Sequence, residues 1–307
     1  MEPHPDLGTG LPPPARLRWW QRFVAPEAVP RAEAMVLAVA SGKGGTGKSF
    51  LTTNLAVAMH RFGLRVVVVD CDFGLANDHL LFGVNPRWSV QHLFDDAAAV
   101  DIADVVMATP FGPFLVAGGS GISSLTELGE GRLAVLARAL GWLAARHDVV
   151  LLDCAAGLSP QSLLTAMVAE HVLLVTNPEI AALTDAYALI KCLARQSAMP
   201  GVHVVVNRVA AQEQGRSTFV RLAEVARRFT GSSIHWCGEI PEDAAVTQRR
   251  LGQPPLLVSH PQCPTSLAVL TILQNLQARI GSLRPHLPND RLGVASRLQR
   301  HLRRPGH

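Results

Sequence analysis

No stretch of this sequence approaches the ~20 consecutive apolar residues of a membrane-spanning helix. The opening residues, MEPHPDLGTGLPPPARLRWW, contain no apolar core of the kind a secretory signal needs. The expectation is a cytoplasmic protein whose contact with the inner face of the cell membrane is at most peripheral. Cysteine is sparse and scattered: Cys71, Cys154, Cys192, Cys237 and Cys263 form no Cys-x-x-Cys pair. Neither a zinc site nor a disulfide framework is indicated, and dispersed thiols fit a reducing compartment. Aromatic residues make up only 5% of the chain, and Tyr187 is the single tyrosine. Strong charge is also missing from the body. The formal net charge is +4, but Arg16, Arg18, Arg22 and Arg31 lie near one end and Arg291, Arg297, Arg300, Arg303 and Arg304 near the other. A near-neutral middle argues against a surface that coats nucleic acid, and sequence-specific recognition of nucleic acid is not expected.

What is present suits a packed domain: 307 residues, 48% of them hydrophobic, are enough for a sizeable core. Residues 1–34 are rich in Pro, Gly and Arg, and Pro12, Pro13 and Pro14 in a row prevent a helix, so this segment reads as a flexible arm. Trp19, Trp20 and Phe23 within it suit either a partner-docking patch or a seat against the domain. From Met35 the pattern changes to short apolar runs: 35–40, 65–70, 114–118, 148–153, 171–176 and 202–207. Val-rich and unalternating, they predict strands buried on both faces of a sheet. Helix-length segments at 48–61, 131–146, 179–196, 217–229 and 265–280 separate or follow them. Strand and helix in alternation predict an α/β, three-layer fold with a mostly parallel sheet and helices on both faces, spanning 35–284. Pro285 and Pro288 then open a basic tail, 285–307. In it, Val294, Leu298 and Leu302 fall on one stripe of a weak amphipathic helix, with Arg297, Arg300 and Arg304 opposite.

Directly after the first strand stand Gly42-Lys43-Gly44-Gly45-Thr46-Gly47-Lys48-Ser49, which satisfy G-x-x-x-x-G-K-[ST] in the strand-loop-helix setting the motif requires. Glycines let successive backbone N–H groups turn inward onto phosphate oxygens, and the helix N-terminus adds its positive end. Lys48 is placed to reach the β- and γ-phosphates and Ser49 to ligate Mg²⁺. At the end of the second strand, Asp70-Cys71-Asp72 sets two carboxylates two residues apart. They suit metal-bound water and an attacking water, although Asp70 alone also fits a cap or turn. The strand DVVLLD ends in Asp153, followed by Cys154-Ala155-Ala156-Gly157. This order suits a Walker B carboxylate, with Gly157 leaving its N–H free for the γ-phosphate.

Lys43 narrows the class. KGGTGKS resembles the deviant Walker A motif of the MinD/ParA/nitrogenase-iron-protein group, in which the extra lysine contacts phosphate across an ATP-sandwich dimer. Phe73 to Asn77, Asp153 to Ser159 and Ala182 to Lys191 are similar to the FlhG/FleN/YlxH branch, MinD-like ATPases that govern flagellar number and placement. The resemblance covers about residues 35 to 280. It implies a P-loop NTPase fold, ATP and Mg²⁺ as ligands, and an ATP-dependent homodimer. It also implies slow hydrolysis by a site containing Lys43, Lys48 and Asp72, with Ser49, Asp72 and Asp153 at the metal. Adenine would be held by Asn207 and by the loop at Pro241. A protein partner, an FlhF-like GTPase or another positioning factor, is implied as well. The N-terminal arm, however, lacks the DQAxxLR string of FlhG proteins, and the tail is a thin counterpart of their membrane helix.

Other users of this P-loop are less consistent with the residues. A metal-cluster carrier would want a Cys-x-x-Cys, and a bacterial tyrosine kinase would want a tyrosine-rich tail. A ParA-like partition ATPase would want a basic body. A scaffold that binds ATP without hydrolysis would not need both Asp72 and Asp153.

Overall fold

The computed structural model describes residues 33–73, 76–95, 100–119, 130–196, 199–250, 252–284 and 293–302. Trp19, Trp20, Phe23, Gly74 and Leu75 lie outside them, as do the side chains of Arg300 and Leu302. In chain order the elements are β1 (Met35–Ala40), α1 (Lys48–Arg61), β2 (Val66–Cys71), α2 (Asp78–Leu81), α3 (Ile102–Val105), β3 (Val106–Ala108) and β4 (Phe114–Val116). There follow α4 (Glu130–Ala144), β5 (Val149–Cys154), α5 (Pro160–Val168), β6 (His171–Thr176), α6 (Ile180–Ala194), β7 (Gly201–Val209) and α7 (Gln214–Thr230). The last are β8 (His235–Pro241), α8 (Ala244–Thr247), α9 (Leu256–Ser259), α10 (Pro264–Ile280) and α11 (Val294–Leu302).

One sheet runs in the order β3-β4-β2-β5-β1-β6-β7-β8 and is parallel except for the short β3–β4 pair. The unalternating apolar runs follow from burial on both sides. In β1, Val36, Ala38 and Ala40 point into one core with α4, α5, α6 and α7, while Met35, Leu37 and Val39 point into a second core with α1 and α10. The three-layer α/β arrangement is as expected. The elements not anticipated carry weak patterns. β8, with the sequence HWCGEIP, is broken by Gly238 near a register shift against β7, and β3 is a three-residue edge. Helix α5 is shorter, but Ser159 caps it by accepting from Ser162 N, with Pro160 at its first position.

The tail helix α11 packs on α4 and α5. Val294 and Leu298 are buried in the first core. Arg297, placed by the helical wheel on the opposite face, is buried too: its Nε donates to Val168 O at 2.9 Å, and a terminal nitrogen lies 3.5 Å from Glu170 Oε1. The Val294 and Leu298 part of the apolar stripe is thus covered by the domain itself. Among the described residues, no helix is long and apolar enough to cross a membrane.

At the end of the sheet opposite the P-loop, the starts of the neighbouring strands β6, β7 and β8 carry three histidines. His203 on β7 lies 3.1 Å from His171 Nδ1 through its Nε2, and its ring centroid is 5.7 Å from that of His235. Burial, then electrostatic interaction with His171, His235 and Arg279, pushes its pKa down to about 3. His203 is therefore neutral in the fold, whereas the unfolded chain takes up a proton near pH ~6.5. Stability from this group is lost as pH falls through that value. Between about pH 7 and about pH 5.5 the wild type should lose about 1 kcal/mol of unfolding free energy that His203→Leu does not lose. Urea titrations at the two pH values measure the difference; equal losses would assign the titration to another group.

Candidate functional site

The ends of β1, β2 and β5 bring the motifs together because these strands are adjacent and in register: Asp70 pairs with Asp153, and Cys71 with Cys154. The loop between β1 and α1 curls back with Gly45 and Gly47 at φ 72° and 96°, a left-handed backbone that favours glycine. A Cβ on Gly42 would collide with the backbone of Asp185, and one on Gly47 with the Asn207 amide. Lys48 and Ser49 then open α1, with Lys48 only 8% exposed.

Asp153 fastens this helix to the sheet. Ser49 Oγ donates to its Oδ2 at 2.5 Å and Thr52 Oγ1 to its Oδ1 at 3.0 Å. Burial raises the Asp153 pKa, while Lys48 and the two hydroxyls oppose that rise. Asp70 serves the following loop: Oδ1 accepts from Asp72 N at 3.0 Å, and Oδ2 from Asn77 N at 3.0 Å and Asp78 N at 3.2 Å. Its pKa is raised to about 7, first by burial and then by Asp153. Asp72 stands half-buried just past β2.

Several groups expected to face a ligand already have internal partners. Lys43 Nζ is paired with Glu179 Oε2 at 2.5 Å, which lowers the Glu179 pKa. The Gly157 N–H, expected to be free, donates to Ser41 O at 3.0 Å, so a phosphate there must displace that carbonyl. Asn207 Nδ2 donates to Thr46 O at 2.7 Å and buttresses the loop from β7. Asn207 nevertheless also lines, with Gly47, Phe50, Ile240 and Pro241, a cavity of about 720 Å³ beside the P-loop. That volume is on the scale of a nucleotide-sized ligand. Gly44 and Thr46 belong to the same loop, and Thr46 Oγ1 is buried without a hydrogen-bond partner.

Sequence reasoning missed Glu179, Asp78 and Asp243. Glu179 carries no motif of its own. Asp78 is a fully buried carboxylate, and burial first, then Asp153 and Asp70, holds its pKa well above the usual range. Asp243 lines the cavity and caps two helices, accepting from Ala245 N and Thr265 N. The run Asn77-Asp78 was a readable helix-start signal. Its convergence with Asp153 was not readable, because it depends on strand order.

The CobQ/CobB/MinD/ParA nucleotide binding domain profile matches residues 37–254. The antiactivator FleN of Pseudomonas aeruginosa is 33% identical over 243 residues, 79% of this chain and 86% of that protein. The flagellum site-determining protein YlxH of Helicobacter pylori is 32% identical over 215 residues, 69% and 71% of the two chains. Among solved structures, the cell division ATPase MinD of Pyrococcus furiosus superposes with a TM-score of 0.64 at 25% identity, covering 80% of this chain and 99% of that one. MinD of Pyrococcus horikoshii, complexed with Mg-ADP, gives 0.63 at 25% identity over 80% and 97%. With the profile spanning most of the fold and the P-loop, Asp70 and Asp153 assembled at its strand ends, the chain belongs to the MinD/ParA family of P-loop ATPases.

Proposed function

We propose that the protein binds Mg-ATP, pairs with a second copy around it and hydrolyses it slowly, as a switch controlling the number or placement of a cellular structure such as the flagellum. The observation that carries the reading is Lys43 at the mouth of the P-loop, held only by a partly exposed ion pair with Glu179. Two exposed apolar side chains adjoin the residues near it: Leu158, next to Gly157, is 39% exposed, and Ile180, next to Glu179, is 82% exposed. Such a rim suits burial against a second copy. The flagellar output is supported by the likeness to FleN and YlxH.

The residues fit the ligand. The loop offers its backbone N–H groups and the orphaned Thr46 hydroxyl to phosphate, Lys48 neutralises charge, and Ser49 presents an oxygen to the metal beside Asp153. Mg²⁺, when bound, offsets the phosphate charge and polarises the reacting phosphoryl group. Asp72, just beyond β2, orients the attacking water. Asn207 and the Pro241 loop border the cavity that would hold the base.

Lys48→Ala should abolish nucleotide binding, because no other side chain of the loop places a cation on the β- and γ-phosphates. Wild-type ATP affinity by calorimetry in this variant would overturn the assignment. Asp72→Ala should keep ATP affinity within a few-fold but lower turnover by roughly 10²-fold, read in a single-turnover assay with labelled ATP. Loss of ATP binding instead would move Asp72 into the metal site.

Glu179→Gln removes the charge that holds Lys43 within its own chain. It should raise the fraction of ATP-dependent dimers seen by light scattering, whereas Lys43→Ala should lower it with ATP binding by the monomer retained. Undiminished dimers in Lys43→Ala would remove the cross-dimer role.

A further inference from the structure

Asp78 has no task in the nucleotide site as described. It opens α2, its exposure is 0%, and neither carboxylate oxygen meets an N–H or hydroxyl donor; the side chain faces the Asp153 carboxylate instead. Its neighbours differ on this point. Asp153 accepts from two hydroxyls, and Asp70 accepts from three backbone N–H groups. An ionised carboxylate taken out of water with no donor carries a large desolvation cost unless an opposite charge meets it.

The geometry around Asp78 defines what could meet it. One oxygen from each of Asp70, Asp78 and Asp153 lies within 4.8 Å of the other two, and all three residues are buried. Oxygens that share a hard divalent cation at roughly 2.0–2.5 Å stand about 3–5 Å apart, so the trio is spaced for a common ion. The charge balance agrees: Lys48 is the cation that acts on both Asp78 and Asp153, while Asp72 adds a further carboxylate beside Asp70 and Asp153. Soft ligands are not offered. Cys71 and Cys154 are buried thiols whose Sγ atoms face the carbonyls of Val69 and Leu152. An all-oxygen donor set suits Mg²⁺ or Mn²⁺ rather than a thiophilic metal.

We propose that Asp70, Asp78 and Asp153 form a divalent-cation site that fills in the absence of nucleotide, with Asp78 as the ligand particular to it. The inference rests on the nucleotide-site reading to the extent that Asp153 serves both, because it also holds the Ser49 and Thr52 hydroxyls. A cation there joins the ends of β2 and β5 to the start of α2. It thereby fixes the loop that carries Asp72 before any phosphate arrives.

The test uses the full-length, nucleotide-free protein titrated with Mn²⁺, free Mn²⁺ being followed by electron paramagnetic resonance. The expected result is one Mn²⁺ per chain, displaced by Mg²⁺. Asp78→Leu and Asp78→Asn should each weaken it by about tenfold or more, the scale on which lost groups of a metal site act. Two variants guard against a folding defect in one. Thermal melting gives a second readout: Mg²⁺ without nucleotide should raise the melting temperature of the wild type and not that of Asp78→Leu. Without cation, Asp78→Leu should melt no lower than the wild type, since it removes a buried carboxylate that lacks a donor.

Lys48→Ala separates this inference from the nucleotide reading, since losing a neighbouring positive charge should leave Mn²⁺ affinity equal or higher while ATP binding disappears. ATP binding retained in Lys48→Ala would refute the nucleotide reading alone. No Mn²⁺ uptake by the nucleotide-free wild type, or unchanged uptake in both Asp78 variants, would overturn the cation site and leave Asp78 as a protonated acid.

Discussion

Everything at this site depends on two aspartates at the ends of adjacent parallel strands. The register that pairs Asp70 with Asp153 puts two carboxylates side by side at the buried end of the sheet, with Asp78 closing on them from α2. Like charges so placed repel, and burial makes the repulsion stronger. The fold answers by converging donors: three backbone N–H groups on Asp70, two hydroxyls on Asp153, and the Lys48 ammonium nearby. The same donors position the machinery. By holding Ser49 and Thr52, Asp153 sets the pitch of α1 and therefore the mouth of the P-loop. By gathering Asp72, Asn77 and Asp78, Asp70 fixes the path of the chain past β2.

The sequence revealed those parts of this arrangement that are local. KGGTGKS after a Val-rich strand announces a phosphate loop because every residue doing the work is within one turn of its neighbours. The two-faced burial of the strands likewise shows as unalternating Val and Leu. What escaped was contact across the sheet. Asp78 looks like an ordinary helix-start aspartate until the strand order brings Asp153 to it. Glu179 looks like a loop acid until the chain returns it to Lys43, 136 residues away in sequence. The Gly157 N–H reads as free in the motif, yet the adjacency of β1 and β5 presents it with the Ser41 carbonyl. On α11 a helical wheel sorts Arg297 to the wet face. A buried guanidinium is tolerated there because Val168 O and Glu170 lie where the wheel has no information.

The packing of α11 bears on how the site is supported. Leu298 lies with Val69, Cys71, Phe73, Leu152 and Leu164 around a small apolar cavity between the sheet and the helices over it. Cys71 and Phe73 flank Asp72, so α11 bears on the residues that frame it. Truncating Leu298 would enlarge a cavity under that loop, and packing interiors transmit such changes because they are as dense as molecular crystals. The distance in sequence between Leu298 and Asp72 is therefore no measure of their independence.

Four groups of the site, unlike the Thr46 hydroxyl, are already occupied within the chain. Lys43 is held by Glu179, the Gly157 N–H by Ser41 O, the Asn207 amide by Thr46 O and the Ser49 hydroxyl by Asp153. At these four groups a ligand would exchange partners rather than satisfy idle ones, so the net gain is smaller than the full strength of each new hydrogen bond. Under the proposed function, such exchanges would let the site close either on itself or on ligand. Small differences in what occupies the loop then decide which arrangement is populated. That is the physical requirement for a switch. The Lys43–Glu179 pair is of limited strength because both side chains remain partly in water, as such a device would need.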